Sequence, residues 1–380
     1  MIHDVIVVGS GPGGAVAAAT LAAGGKSVLL VDRQTFPRDK ICGDGLPVEV
    51  MKVLTDMGVN IDAAGLQYQR LDYLSITGPG GQTISVTEQP RDVFSMTAPR
   101  YSFDNMLHEH AVKSGAHFEV MHVHKPLLSA DGQRVVGVVE RRNGQMIEHE
   151  AKVIIAAGGV SSPIARALSG RSKSDPEATA VGIRAYACLK RPADSAVRFF
   201  FQKHLLPGYA WIFSVGPNRV NIGIYIHNAT YKDGAKDLPA LLDQFCAWLR
   251  EAEGYDFELE PDTVRTWPLP IYINQESRSL PGVFLVGDEG HFTNALTGGG
   301  IYSAMLTGRL AAQQALKQLA GQPVDYDASW YDSPGADLRR GRLVQKYIAT
   351  QPPLFNGLIK IGSHPLLRYR IMKAIAGDHY

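Results

Sequence analysis

Val5-Ile6-Val7-Val8 is a short β-branched run followed at once by glycine, the pattern of a strand buried on both faces. Residues 9–14 read as a glycine loop, 15–23 as an alanine-rich helix, and 27–31 as a second buried strand ending at Asp32. Strand, glycine turn, helix and strand make a βαβ unit. Across residues 102–114 the apolar positions Phe103, Met106, Leu107 and Ala111 recur with helical spacing. Residues 135–140 and 146–150 predict a hairpin across Asn143-Gly144, and 153–157 a separate buried strand. From about 180 to 266 the texture becomes antiparallel, with strands over 197–202, 210–215 and 220–227 and turns at Pro207-Gly208 and Pro217-Asn218. A helix is expected over 238–250. Residues 283–286 return to the buried-strand pattern, and 299–319 predict a long helix.

Nucleotide-fold pieces at both ends of the chain therefore enclose a different, mixed region. Three scattered cysteines, Cys42, Cys188 and Cys246, form neither a disulfide framework nor a CxxC metal pattern, which points to a reduced, cytoplasmic setting. His108-Glu109-His110 do not share a helix face, and no metal is expected. The first apolar run is preceded by Asp4 without a basic segment, so it reads as a strand and not a signal peptide. Lys plus Arg number 38 and Asp plus Glu 37, which excludes an overall basic footprint for nucleic acid. The balance is uneven, however. From residue 337 to the end, eight bases stand against two acids, so a +6 tail joins a body of −5. Leu354, Leu358, Ile359, Ile361, Leu366, Leu367, Ile371 and Met372 interleave with those bases, a pattern able to touch an anionic membrane or to belong to a solvated basic helix packed on the fold.

The 39 glycines locate the chemistry. Gly9, Gly11 and Gly14 satisfy G-x-G-x-x-G, with Gly13 as an extra glycine. The first glycine permits a tight turn, the second a close approach to a pyrophosphate, and the third close helix packing. Asp32 closes the next strand, where a carboxylate accepts from ribose hydroxyls. A second glycine site follows the strand at 283–286: Gly287-Asp288, then Gly298-Gly299-Gly300-Ile301 opening a helix. That helix start can approach a flat ring and stabilise negative charge on it. Two such sites in one chain, with no second G-x-G-x-x-G, call for one long two-ended ligand, which FAD is.

The opening GSGPGG, the run Phe36-Pro37-Arg38-Asp39-Lys40-Ile41-Cys42-Gly43-Asp44-Gly45-Leu46, Arg100-x-x-Phe103-Asp104, Ala156-Ala157-Gly158 with Ser161, and Gly287-Asp288 together resemble the geranylgeranyl reductase family. This family lies within the larger group of aromatic hydroxylases and flavin-dependent halogenases. Tyr209-Ala210-Trp211-Ile212-Phe213 is similar to the family's Tyr-x-Trp-x-Phe-Pro-Lys element, although Ser214-Val215 follow here. Glu289, Gly290 and His291 stand where relatives often have small residues. Leu296-Thr297-Gly298-Gly299 stands where Pro-x-x-Gly-Glu-Gly is commoner. The resemblance implies that Ala15 follows the pyrophosphate turn and that Asp32 binds the adenosine ribose. It places Cys42, Gly43 and Gly45 beside the isoalloxazine and Arg100 at the phosphate–ribityl region. Val123 would frame adenine through its backbone, and Asp288, Gly300 and Ile301 would hold the ribityl and pyrimidine ends.

The implied architecture is α/β (α+β): a Rossmann-like FAD-binding domain, an inserted mixed antiparallel-sheet substrate domain and a helical C-terminal tail. The expected boundaries are 1–75, 96–170 and 275–330 for the FAD-binding part, 76–95 and 171–274 for the substrate part, and 331–380 for the tail. The resemblance implies hydride transfer from reduced flavin to carbon–carbon double bonds of a prenyl or other apolar substrate, with NADPH or a reduced carrier protein as electron donor. The alternative is a flavin-dependent monooxygenase acting through a C4a-hydroperoxide. Candidate proton donors are Cys42, Asp44, Tyr209 and His291; the bland readings of Cys42, Asp44 and His291 are a small buried filler, a turn cap and a structural or solvent-facing loop histidine. Tyr209 and Trp211 alternate on a strand and can wall an apolar slot, or serve as ordinary core aromatics.

Overall fold

The computed structural model describes residues 2–87, 93–169, 175–192, 194–230, 237–274 and 277–376. A parallel sheet runs in the order Val283–Leu285, Gln145–Ala156, His3–Val8, Val28–Asp32, His117–Val120, with Ser279–Leu280 antiparallel at one edge. Alternation along its strands divides two cores. Val5, Val7, Val153 and Ile155 face the helices, while Ile6, Val8, Ile154 and Ala156 face the strand pair over 123–142. Each such fully buried branched side chain contributes about 1.5–3 kcal/mol.

The first helix starts at Pro12, three residues before the expected Ala15. Proline fits the first helical position because its missing N–H would have no partner there. That helix, Pro12–Ala23, is buried almost all round and lies against Ile301–Leu319. Glycine makes the approach so close that a Cβ on Gly308 would stand 2.1 Å from the Gly13 carbonyl oxygen. The hairpin turns at Asn143 (φ 52°) and Gly144 (φ 83°), both left-handed as such a turn requires. Its second strand differs from expectation: it continues unbroken over Gln145–Ala156, joining the two strands read from sequence. Ala151-Lys152 supply no turn, so a half-exposed hairpin strand becomes a buried parallel one.

The second sheet runs Phe257–Leu259, Thr179–Leu189, Arg219–His227, Tyr209–Gly216, Ala196–Phe200, Tyr73–Thr77, Thr83–Thr87, with Arg265–Pro270 also on Thr179–Leu189. Period-two alternation again divides two layers. Ala210, Ile212, Ile222 and Ile224 pack on the helix Leu238–Glu251, whereas Tyr209, Trp211, Phe213 and Tyr225 form the other face. The strand Tyr73–Thr77 crosses the expected 75/76 boundary and pairs with Ala196–Phe200 throughout. The boundaries expected at 170/171 and 274/275 touch residues outside those described. The tail is helical over Gly335–Val344, Pro352–Gly362 and Pro365–Ala376. Among the described residues, no helix is long and apolar enough to cross a membrane.

Candidate functional site

One cleft of about 1700 Å3, counting its part open to solvent, runs between the two large sheets. At one end it is lined by Gly9, Gly11, Pro12, Gly13 and Asp32, and at the other by Cys42, Gly43, Gly45, Gly287, Asp288, Gly299, Gly300 and Ile301. Its apolar wall comes from Phe199, Tyr209, Trp211, Phe213, Tyr225 and Trp267.

The glycine end is built from backbone. Gly9 takes φ +100°, and a Cβ there would meet the Ala157 oxygen at 2.2 Å. A Cβ on Gly14 would stand 1.7 Å from the Gly9 oxygen. Gly11 is different: its Cβ position is 3.7 Å from a guanidinium nitrogen of Arg38, with nothing nearer, so it faces open cleft. The helix beginning at Pro12 turns its positive end and unpaired N–H groups to that space, a site for phosphate. Asp32 accepts from the Ser10 and Gln34 amides, which fixes its carboxylate at the strand end.

Two guanidiniums share one buried carboxylate nearby. Arg100 binds Asp104 at 2.6 and 2.7 Å, and Arg38 binds the same residue at 3.0 Å. Both arginines line the cleft while Asp104 is buried beneath, so the trio presents a net positive charge to an anion. The sequence marked Arg100 but not Arg38. Asp104, four residues after Arg100, was the available signal for the clamp.

At the ring end, the Cys42-Gly43 loop lies on the aromatic wall. A Cβ on Gly43 would be 3.1 Å from the Phe213 ring and 3.4 Å from the Trp211 indole nitrogen. Tyr209 and Trp211 both face the cleft as expected, with ring centroids 6.0 Å apart. Phe199 joins them from the neighbouring strand at 5.3 Å from Tyr209. The Tyr209 hydroxyl donates to the Thr297 carbonyl, tying the wall to the Gly298–Gly300 loop. Lys40, not singled out from sequence, stands 4.3 Å over the Trp267 ring and 3.8 Å from Asp288. Burial pulls its ammonium below the usual lysine range, against the opposing pull of Asp288. Burial likewise pushes the Cys42 thiol up, which keeps it protonated.

Five expected residues stand outside the lining. Gly14 and Ala15 are packed in the helix beneath it. Val123 sits on the hairpin strand opposite Glu140. The His291 ring bonds the Ile271 carbonyl at 3.2 Å and closes the turn after Gly287–Gly290 in a left-handed conformation. Asp44 is fully buried behind the loop at φ 66°, so no substrate reaches it directly. Its Oδ2 accepts from the Tyr186 hydroxyl at 2.6 Å and from Asn221 at 2.8 Å, while Oδ1 has no partner among the described residues. Burial raises its pKa to about 6, although both hydrogen bonds pull it down. Asn221 also donates to the Cys42 carbonyl and accepts from the Trp211 indole, so Asp44 and Asn221 brace the ring-side loop.

The residues fit a long dinucleotide: a phosphate cradle at a helix start, a ribose-binding carboxylate, and a second glycine site under a flat apolar wall. The FAD binding domain family model matches residues 3–325. Digeranylgeranylglycerophospholipid reductase 1 of Methanopyrus kandleri is 30% identical over 329 residues, 84% of this chain and 82% of that protein. The chain belongs to the geranylgeranyl reductase family. Menaquinone reductase of Mycobacterium tuberculosis is 30% identical over 316 residues, 82% of this chain and 76% of its own length. A geranylgeranyl bacteriochlorophyll reductase-like protein of Thermoplasma acidophilum shares the fold, with a TM-score of 0.85, 22% identity, and coverage of 100% of this chain and 96% of that one. As a member of this family the chain is an FAD-dependent oxidoreductase.

Proposed function

We propose that this member of the geranylgeranyl reductase family reduces carbon–carbon double bonds in the isoprenoid chain of a lipid. The observation carrying the reading is the apolar wall of Phe199, Tyr209, Trp211 and Phe213, set directly against the Cys42-Gly43 and Gly298–Gly300 loops. A wall of four aromatic rings with no charged group among them recognises a flat or extended hydrocarbon and excludes water. The relatives named for a digeranylgeranyl phospholipid and for menaquinone support the same substrate chemistry.

FAD, when bound and reduced, supplies hydride. The chain does the rest. Gly11, Arg38 and Arg100 would hold the phosphates, and Asp32 the ribose. Tyr209 and Trp211 press the alkene to the ring side of the cleft. The Cys42 Sγ would be the proton donor: burial keeps it protonated, and Arg100 beside it would stabilise the thiolate left when the proton passes to a carbon of the double bond. With the hydride that the cofactor would supply, that proton would saturate one double bond, and the thiolate would recover its proton from solvent. Asp44, through Asn221, keeps the Cys42 carbonyl in place.

The test is anaerobic. Chemically reduced enzyme is offered a panel of prenyl alcohols, prenyl diphosphates and prenylated lipids, and flavin reoxidation is followed with product mass. A gain of two hydrogen atoms per flavin reoxidised is expected. Products gaining an oxygen atom once air is admitted, with no reaction before it, would overturn the reading.

A further inference from the structure

The C-terminal helices carry apolar side chains well beyond the face that they bury. On Pro352–Gly362, Phe355, Ile359 and Gly362 are buried against the second sheet, while Leu354 and Ile361 stand exposed on the adjoining flank, roughly 110° round the helix, with Leu358 half-buried between them and packed on the same core. On Pro365–Ala376, Met372 and Ile375 are buried, and Leu366 (82% exposed), Leu367 and Tyr369 are open. Leu343 and Tyr347 continue the exposed set on the preceding segment. Lys346, Lys360 and Arg370 are exposed among them, and the sequence from Leu338 to Ala376 contains no acidic residue. Isolated exposed leucines are ordinary, but this many on three consecutive helices, set among bases only, are not.

This surface lies on the ring side of the molecule. Phe355 packs on Phe201, with centroids 4.7 Å apart, and Phe201 on Tyr209 at 5.3 Å. One apolar cluster thus joins the cleft wall to the buried stripes of the tail. Asp337 accepts from Asn294 at 3.1 Å, and Asn294 accepts the Leu296 and Thr297 amides of the glycine loop. The tail is therefore braced against the same loop that closes the substrate end of the cleft.

We propose that the outer face of the C-terminal helices is a docking surface for an anionic lipid bilayer, seating the substrate end of the cleft at the membrane. Leucine, isoleucine and tyrosine side chains enter the interface, and the lysines and arginines meet lipid phosphates. Charge complementarity selects the occupant: a protein partner of mixed charge would leave these bases unmatched, and a neutral bilayer would use only half the surface. The proposal names the partner of the site described above and rests on the isoprenoid reading for its purpose, but not for its test.

The holoenzyme is floated with vesicles of phosphatidylcholine alone or mixed with phosphatidylglycerol, at low and at physiological salt. Binding to the mixed vesicles that weakens with salt is expected, with binding to pure phosphatidylcholine at least about tenfold weaker. The combined variant Leu354→Ser, Leu366→Ser, Tyr369→Ser, and separately Lys360→Glu with Arg370→Glu, should each lower binding on the order of tenfold while keeping full FAD content. Absence of flotation at low salt would overturn the proposal, as would variants that float like the parent. So would a parent that is dimeric in solution and becomes monomeric in the apolar variant with unchanged flotation, which would make the face an interface between copies. Vesicle binding needs no turnover, and turnover of a short soluble prenyl compound needs no vesicle, so this inference and the proposed reaction fail separately.

Discussion

The two ends of the cleft are made of different material. At the nucleotide end, glycine backbone and a helix start do the shaping, and side chains enter only as Asp32 and the Arg38–Asp104–Arg100 clamp. At the ring end, shape comes from aromatic side chains that reach in from four separate strands, braced from behind by Asp44 and Asn221. Backbone sites serve a cofactor whose pyrophosphate is the same in every FAD protein. Side-chain sites can be refitted to a new substrate without disturbing the cofactor. Substitutions at one end should therefore remove flavin, and substitutions at the other should spare it.

The sharpest break is at Gly14. In Gly14→Val the Cβ would overlap the Gly9 carbonyl, and no flexible side chain can yield there. A loss of more than about 4 kcal/mol is expected, with no flavin absorbance in the purified chain. Next is Arg100→Met, which leaves Asp104 buried with Arg38 as its one remaining ion-pair partner. Denaturant unfolding should show a loss of about 3–5 kcal/mol, with weaker FAD retention.

The third expectation concerns pH. Burial raises Asp44 to about 6 and buried Glu289 to about 7, the latter despite bonds from the Gly158 and Ala165 amides. Both folded values lie above those of the unfolded chain, so the fold prefers the neutral acids. Their stabilising effect is complete at about pH 4 and is lost as the pH rises through 6 and 7, on the order of 3 kcal/mol for each. Unfolding midpoints compared at about pH 5 and about pH 8 should fall with pH in the parent and fall less in Asp44→Asn and Glu289→Gln. Equal slopes in parent and variants would remove both groups from the account. The smallest effect is at Tyr209→Phe. Loss of the hydrogen bond to Thr297 should cost about 1 kcal/mol and weaken prenyl binding several-fold at unchanged flavin content, read by titration of the oxidised enzyme.

The same contrast explains what could be read from the chain alone. Gly9, Gly11, Gly14 and Asp32 lie within one βαβ unit, where spacing along the sequence fixes geometry, so the nucleotide end and the Rossmann-like half were legible. Tyr209 and Trp211 were legible for a similar reason, since alternation on one strand puts both on one face. The rest of the wall was not, because Phe199, Tyr225 and Trp267 arrive on other strands whose order no local pattern encodes. Asp44, between two glycines, read equally as a proton relay and as a turn cap. Its burial is decided by Tyr186 and Asn221, 142 and 177 residues away. His291 read as a proton donor or as a structural or solvent-facing loop residue; a carbonyl 20 residues upstream, which no local pattern marks, holds its ring. The clamp joins Arg38 to Asp104 across 66 residues, which explains why Arg100 alone was marked and its pairing was not.

Single-turnover reaction of the reduced enzyme with a prenyl lipid, comparing the parent with Trp211→Ala under strict exclusion of oxygen, bears most directly on this division of labour. The account predicts equal flavin content in both chains. The parent should reoxidise in step with a product that gains two hydrogen atoms, and the variant should lose at least about tenfold in rate. A variant that loses its FAD, or one that reduces the lipid as fast as the parent, would contradict it.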